Sequence, residues 1–261
     1  MKWLYRKIKS FFKSTKAQSI PSQTTKPGEV VKQPGFGFIP VFMAVLGHNE
    51  YAQGTNYKFG KKESEWTFNG PVIDDFLLFL DTICPKIPAF KVIRPIGSYG
   101  HQIRSVKNAI KKITAGMQSY GMNLHFNSGG GIGSENLIAK GSIDNFDNIF
   151  ADQLSDVLEV ALDIPQRRDS GVFEIRESHN GGGMIAGQAD VNNCTTIVEP
   201  VFDHDHDHAR AIFNFPVRYA QILAETVVIT YLIRGLIKRE DVTGPLEFWD
   251  IGDLITPKKR I

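Results

Sequence analysis

The chain has 261 residues, 42% of them hydrophobic and 22% charged, which is enough to bury one large core. A net charge of only +2 gives no reason to expect a nucleic-acid partner. Its two cysteines, Cys84 and Cys194, exclude a disulfide framework and a Cys-x-x-Cys metal site, and the longest apolar run, 222–237, is too short and too interrupted, by Glu225 and Arg234, to cross a bilayer.

Residues 1–16 carry Lys2, Arg6, Lys7, Lys9, Lys13 and Lys16 and no acid. Trp3, Leu4, Ile8, Phe11 and Phe12 give this arm one face of a basic amphipathic helix, suited to peripheral contact with an anionic membrane. A loosely packed arm is the alternative. Its charges are mixed through the apolar residues, so no continuous signal-peptide core forms. Residues 17–36 have linker composition, punctuated by Pro21, Pro27 and Pro34. The folded domain is expected over 37–238, with 239–261 a C-terminal tail.

Within the domain, 38–46 reads as a buried strand ending at Gly47. A polar loop reaches about Trp66, and Asn69-Gly70-Pro71 opens a helix with Ile73, Phe76, Leu77 and Leu80 on its apolar face. A short strand covers 90–94. Ile103, Val106, Ile110, Ile113 and Met117 step by three and four residues, so 101–119 is a helix. A strand at 121–126 leads into a Gly-rich loop, 129–133. Phe150, Leu154, Val157, Leu158 and Ala161 mark another helix, 172–176 and 195–198 are strands, and 216–238 is a long last helix with Asn214 as its cap. This alternation predicts an α/β fold: one domain with a mostly parallel or mixed central sheet flanked by helices.

Four acid or imidazole side chains fall at the ends of these elements: His48 after the first strand, Glu65 before the first helix, His125 at a central strand end, and Glu199 at a later one. Two His and one carboxylate form a ligand set for catalytic zinc, with the fourth position left to water. A second carboxylate beside such a site acts as general base. Open α/β sheets place their sites at the carboxyl ends of strands.

The motifs around these residues resemble the zinc-dependent N-acetylmuramoyl-L-alanine amidases of the type-3 family, found in autolysins and phage endolysins. They are Gly47-His48, Glu65 with Asn69 four residues later, Asn123-Leu124-His125-Phe126-Asn127 and Val198-Glu199-Pro200-Val201-Phe202. Arg94 and Arg104 also stand where that family has arginines. The resemblance covers roughly 38–235. It departs from the family at Asn123, where the family has serine, at Val201 and Asp203, and in a Gly-His loop that lacks Gly-Gly and Asp.

The resemblance implies that His48, Glu65 and His125 hold zinc (Zn2+) and that Glu199 is the catalytic base. Glu63 competes with Glu65, and the Glu-x-x-x-Asn spacing selects Glu65. The implied substrate is peptidoglycan, cut at the amide between N-acetylmuramic acid and L-alanine. The protein is expected as a phage-type lysis enzyme, made in the cytoplasm and acting on the cell wall. The alternatives are another zinc peptidase and a non-catalytic phage structural or wall-binding protein on the same fold.

The run Asp203-His204-Asp205-His206-Asp207-His208 looks like a metal site but is one residue short of the His-x-His-x-Asp-His pattern. It is expected as a solvated polar turn before a helix. The Gly-rich loop lacks the Lys-Ser or Lys-Thr of a phosphate-binding loop, and both it and Gly181-Gly182-Gly183 read as flexible loops.

Overall fold

The structure, a computed structural model, describes residues 38–257 apart from 55, 60, 141–144, 169, 176–182, 185–193 and 252–254. The basic arm and linker, the terminal Lys258-Lys259-Arg260 and the first two glycines of 181–183 lie outside the described residues.

In chain order the elements are β1 (Val41–Leu46), β2 (Asn56–Phe59), β3 (Lys61–Ser64), α1 (Glu65–Ile83), β4 (Ala89–Ile93), α2 (Tyr99–Thr114), β5 (Ser119–Leu124), β6 (Glu135–Ala139), α3 (Phe146–Leu162), β7 (Val172–Ile175), β8 (Cys194–Glu199), α4 (His206–Phe213), α5 (Pro216–Ile233), a 3-10 turn (Arg239–Asp241), β9 (Trp249–Ile251) and β10 (Ile255–Pro257). Six strands make one mixed sheet in the order β4-β1-β5-β8-β6-β7. Neighbours β4, β1, β5 and β8 are parallel, β6 is antiparallel to β8, and β7 is parallel to β6. The other two pairs, β2-β3 and β9-β10, are separate antiparallel ribbons.

Period-two alternation divides β1 between two cores. Phe42, Ala44 and Leu46 face the larger one, built with α1, α3 and α5. Val41, Met43 and Val45 face the smaller one, closed by Val92 and by Val106 and Ile110 of α2. Burial on both faces is why β1 reads as an unbroken apolar run. Helix α5 is buried over most of its circumference, which explains its lack of a polar face.

Several boundaries differ from the sequence expectation. Helix α1 begins at Glu65, not near Pro71. The Ser64 hydroxyl accepts from the Thr67 N–H at 3.2 Å, and the Ser64 N–H donates to the Thr67 hydroxyl at 2.9 Å. This reciprocal cap starts the helix ahead of Asn-Gly-Pro, which was expected to open it, and Pro71 sits inside the helix. Helix α2 stops at Thr114, where Ala115 turns left-handed with φ 50°. Met117 therefore lies beyond the helix that its spacing suggested. Asn214 ends α4 rather than capping α5. The β2-β3 ribbon replaces part of the expected polar loop, because Asn-Tyr-Lys-Phe and Lys-Lys-Glu-Ser carry no continuous apolar signal. No helix among the described residues is long and apolar enough to cross a membrane.

Residues 239–251 continue as structure where a tail was expected. Glu225 of α5 is fully buried. Its carboxylate accepts from the N–H groups of Glu247 at 2.9 Å and Phe248 at 2.8 Å, and from the Gln221 amide at 2.8 Å. Burial pushes its carboxyl above the ordinary range, against the pull of these donors. The next residue, Trp249, is buried in the main core. Glu225→Leu leaves the buried Phe248 N–H without an acceptor, at about 1–3 kcal/mol, and takes the acceptor from the part-buried Glu247 N–H as well. The variant is expected to melt well below wild type in a thermal scan, and Glu225→Gln, which keeps an acceptor oxygen, less so. Equal melting of Glu225→Leu and wild type would show that the 247–249 segment is not held by this carboxylate.

Candidate metal centre and its cleft

His48 lies two residues past β1, His125 one residue past β5, and Glu65 opens α1. Strands β1 and β5 are parallel neighbours in register Leu46↔Leu124, so their carboxyl ends deliver both imidazoles to one edge of the sheet. Helix α1 supplies the carboxylate from the large-core side. Glu65 and Asn69 are one helical turn apart and share a face. Glu65 Oε2 accepts from the Phe126 N–H at 3.1 Å, and Asn69 Nδ2 donates to the Leu124 carbonyl at 3.3 Å. The two bonds bracket His125, which is the physical content of the Glu-x-x-x-Asn spacing.

The donor atoms converge. His48 Nε2 is 3.1 Å from Glu65 Oε2, and His125 Nδ1 is 3.2 Å from His48 Nε2 and 3.4 Å from Glu65 Oε2. Ligand atoms at zinc-like distances around a tetrahedral ion stand about 3.3–3.4 Å apart. The tautomer fits as well: His48 Nδ1 donates to the Ala52 carbonyl at 3.1 Å, which leaves the Nε2 lone pair for a metal. Asn49 builds that loop, its Oδ1 accepting from the Tyr51 and Ala52 N–H groups at 3.0 and 2.9 Å.

Charge is set by burial and by neighbours. Burial alone would raise the Glu65 carboxyl, but its interactions with the His125 and His48 imidazoles outweigh it and hold the group well below the ordinary range. Burial pushes the His125 imidazole down, against the opposing pull of Glu65. The result is a carboxylate between two imidazoles, a donor set suited to a divalent cation. Among the described residues no other three His, Cys, Asp or Glu side chains converge in this way.

Two glycines make room for the group. A Cβ on Gly47 would stand 2.2 Å from the Leu124 carbonyl and 2.5 Å from His125 Nε2. Gly54 has φ +76°, and a Cβ there would lie 2.7 Å from both His48 and Glu65. The first belongs to the Gly-His motif, and the second carries no signal in the sequence.

Glu199 ends β8, the strand beside β5. The His125 N–H donates to the Val198 carbonyl at 2.9 Å, so His125 and Glu199 occupy adjacent rungs. Burial, then the charges of Glu135 and Glu65, push the Glu199 carboxyl up to about 8, with Arg167 pulling the other way. Glu199 lines a cleft of about 400 Å³ with Asn127, Glu135, Arg167 and Phe202. Glu135 and Arg167 form an ion pair, and the Asn127 amide also donates to Glu135. Neither Glu135 nor Arg167 is a candidate from the sequence. The one available sign is a carboxylate at the head of the otherwise uncharged strand Glu-Asn-Leu-Ile-Ala.

Arg94 is buried just past β4, with Nη2 donating to Gln102 Oε1 at 2.8 Å and its Nε unpartnered. Arg104 is exposed on α2. The side chain of Glu63 lies outside the described residues.

The His-Asp run plays a different part from the one its composition suggests. Asp203 Oδ1 accepts from the Gly129 N–H at 3.1 Å and Asp205 Oδ2 from the Gly133 N–H at 3.3 Å. His208 Nδ1 bonds Asp205 Oδ2 at 2.7 Å, and His206 to His208 form the first turn of α4. The acids thus staple the Gly-rich loop, which the sequence alone reads as flexible, to the chain after β8.

No protein-family model matches the sequence, and no curated protein matches it. Solved structures do. The catalytic domain of the CD27L endolysin targeting Clostridia difficile aligns with a TM-score of 0.55 at 12% identity, over 73% of this chain and 97% of its own. The N-acetylmuramoyl-L-alanine amidase of Clostridium difficile 630 aligns with a TM-score of 0.53 at 15% identity, over 75% and 98%. The catalytic domain of CwlV, the corresponding amidase of Bacillus (Paenibacillus) polymyxa var. colistinus, gives 0.52 at 16%, over 73% and 97%. At such identities the likeness is one of backbone, and it spans nearly the whole of each matched domain: the chain has the fold of the N-acetylmuramoyl-L-alanine amidases.

Proposed function

We propose that the chain is a zinc-dependent N-acetylmuramoyl-L-alanine amidase, cutting peptidoglycan between N-acetylmuramic acid and L-alanine as a phage-type lysis enzyme at the cell wall. The observation that carries this reading is the convergence of His48 Nε2, Glu65 Oε2 and His125 Nδ1 within 3.4 Å of one another, one rung from Glu199. The amidase fold and the endolysin domain among its structural neighbours support the choice of bond and of setting.

His48, Glu65 and His125 are the residues that would hold the ion. When bound, zinc supplies Lewis-acid polarisation of a carbonyl and lowers the pKa of water. The chain's own part is acid–base work and positioning. Glu199 takes the proton of the attacking water and hands it to the leaving amine. A carboxyl held near neutrality is suited to both halves of that transfer. The Ala52 carbonyl and the Phe126 N–H fix the His48 ring and the Glu65 carboxylate, so that the donors need little rearrangement.

Incubation of the purified protein with a soluble muropeptide, followed by product mass spectrometry, tests the bond. The expected products are a free glycan and a peptide with an L-alanine N-terminus. Release of a C-terminal amino acid instead would make the protein a carboxypeptidase. A protein that binds sacculi without cleaving them, and carries no zinc, would be a wall-binding module.

A further inference from the structure

Strands β6 and β8 pair in the antiparallel register Glu135↔Glu199, Asn136↔Val198 and Leu137↔Ile197. Directly opposed residues project from one face with Cβ atoms about 5 Å apart. Two carboxylates in such a pair repel each other and weaken the sheet. Among the described residues, Arg167 is the cation that acts on Glu199, and the structure pairs it with Glu135.

We infer, resting on the amidase reading above, that Glu135 is a positioning residue: it holds Arg167 away from Glu199, so that the catalytic carboxylate remains free to accept a proton.

The surroundings are built for this. Arg167 is fixed by its backbone, its N–H donating to the Ser134 carbonyl at 3.0 Å and its carbonyl accepting from the Gly171 N–H at 3.0 Å. Its guanidinium lies over the Phe202 ring at 4.7 Å. Phe202 is only three residues beyond Glu199, so the guanidinium already stands beside the chain that carries the base. The second donor to Glu135 is Asn127, two residues past His125, and its backbone is tied to the chain after β8 through the Val201 carbonyl at 3.0 Å and the Asp203 N–H at 2.9 Å. Glu135 thus joins the segment after His125, the segment after Glu199 and the loop after α3. With its charge removed, Arg167 loses an anion and Glu199 is the next one available. A carboxylate paired with a guanidinium is a poor base, because the pair stabilises its charged form.

This arrangement predicts an interaction of unusual sign. Glu135→Gln keeps the size and an acceptor for Asn127 but releases Arg167, and kcat on a soluble muropeptide should fall at least about tenfold with KM changed less than about threefold. Adding Arg167→Met should restore most of that loss, because the competing cation is gone. A pair kept for stability alone would show that coupling in melting temperature and not in kcat. Glu135→Asp, which keeps the charge, should hold kcat within about threefold. Zinc content and melting temperature are measured on every variant.

Additive losses in the double variant, or a Glu135→Asp defect as deep as that of Glu199→Gln, overturn the proposal. A crystal structure of Glu135→Gln tests it without turnover. The expected result is the Arg167 guanidinium within hydrogen-bond distance of Glu199, and Arg167 left where it is now would sink the idea. Wild-type protein that fails to cleave, or Glu199→Gln that cleaves normally, speaks against the amidase reading and not against this pairing, which the crystal structure still decides.

Discussion

His125→Ala is expected to leave the protein folded, free of zinc and without measurable hydrolysis, and His48→Ala to do the same. Each substitution takes one donor from a set of three, and two remaining protein ligands hold the ion far more weakly. The main-chain neighbours of His125 are bonded by both Glu65 and Asn69. Loss of the imidazole leaves that bracket intact, so the fold should survive. Metal analysis after dialysis, with about one zinc per wild-type chain, gives the result directly. The control is the triple replacement of His204, His206 and His208 by Asn. It should keep zinc and activity near wild type, because the acids that staple the glycine loop are untouched. Zinc retained by both single variants, or lost from the triple one, would move the site to the His-Asp run.

The second large effect is at Glu199. Glu199→Gln keeps the volume and removes the base, and turnover should drop by ~10²-fold or more while zinc remains bound. Wild-type rates in this variant would take Glu199 out of the mechanism. The same substitution has a consequence for stability in the metal-free protein. The folded Glu199 carboxyl is pushed up to about 8 from 4.5, so the native state binds the proton more tightly than the unfolded chain does. The stabilisation is complete below about pH 4.5 and is lost as pH rises towards 8. Between pH 5 and 8, metal-free wild type should therefore lose stability relative to metal-free Glu199→Gln, since the depressed His125 imidazole acts with the opposite sign equally in both proteins. Glu65 has the opposite sign: its depressed pKa gives stability above about pH 4.5 that disappears in acid. Parallel melting curves of the two proteins across this range would show that burial does not load a proton onto Glu199.

The local patterns that identify a strand end followed by His, or a Glu with Asn one helical turn on, were legible in the sequence because each is a short-range arrangement. So were the apolar runs of β1 and α5 and the α/β alternation. The expectation of a zinc-type donor set rests on residue types alone, and the structure brings His48, Glu65 and His125 together. What no local pattern contains is a cross-strand register. Glu135 lies 64 positions before Glu199, and only the antiparallel insertion of β6 between β7 and β8 sets the two side by side. Arg167 reaches them through a loop held by the Ser134 carbonyl. The His-Asp run shows the reverse case. Its composition suggests a metal, yet its acids are taken up by N–H groups of a glycine loop 70 or more positions earlier. A carboxylate serves equally as ligand, base, cap or staple, and which of these it becomes depends on the donors that folding brings within 3 Å of it. The sequence alone determined the kinds of groups present and their places at strand ends. The tertiary structure decided which carboxylates stand beside imidazoles, which face each other, and which hold the chain together.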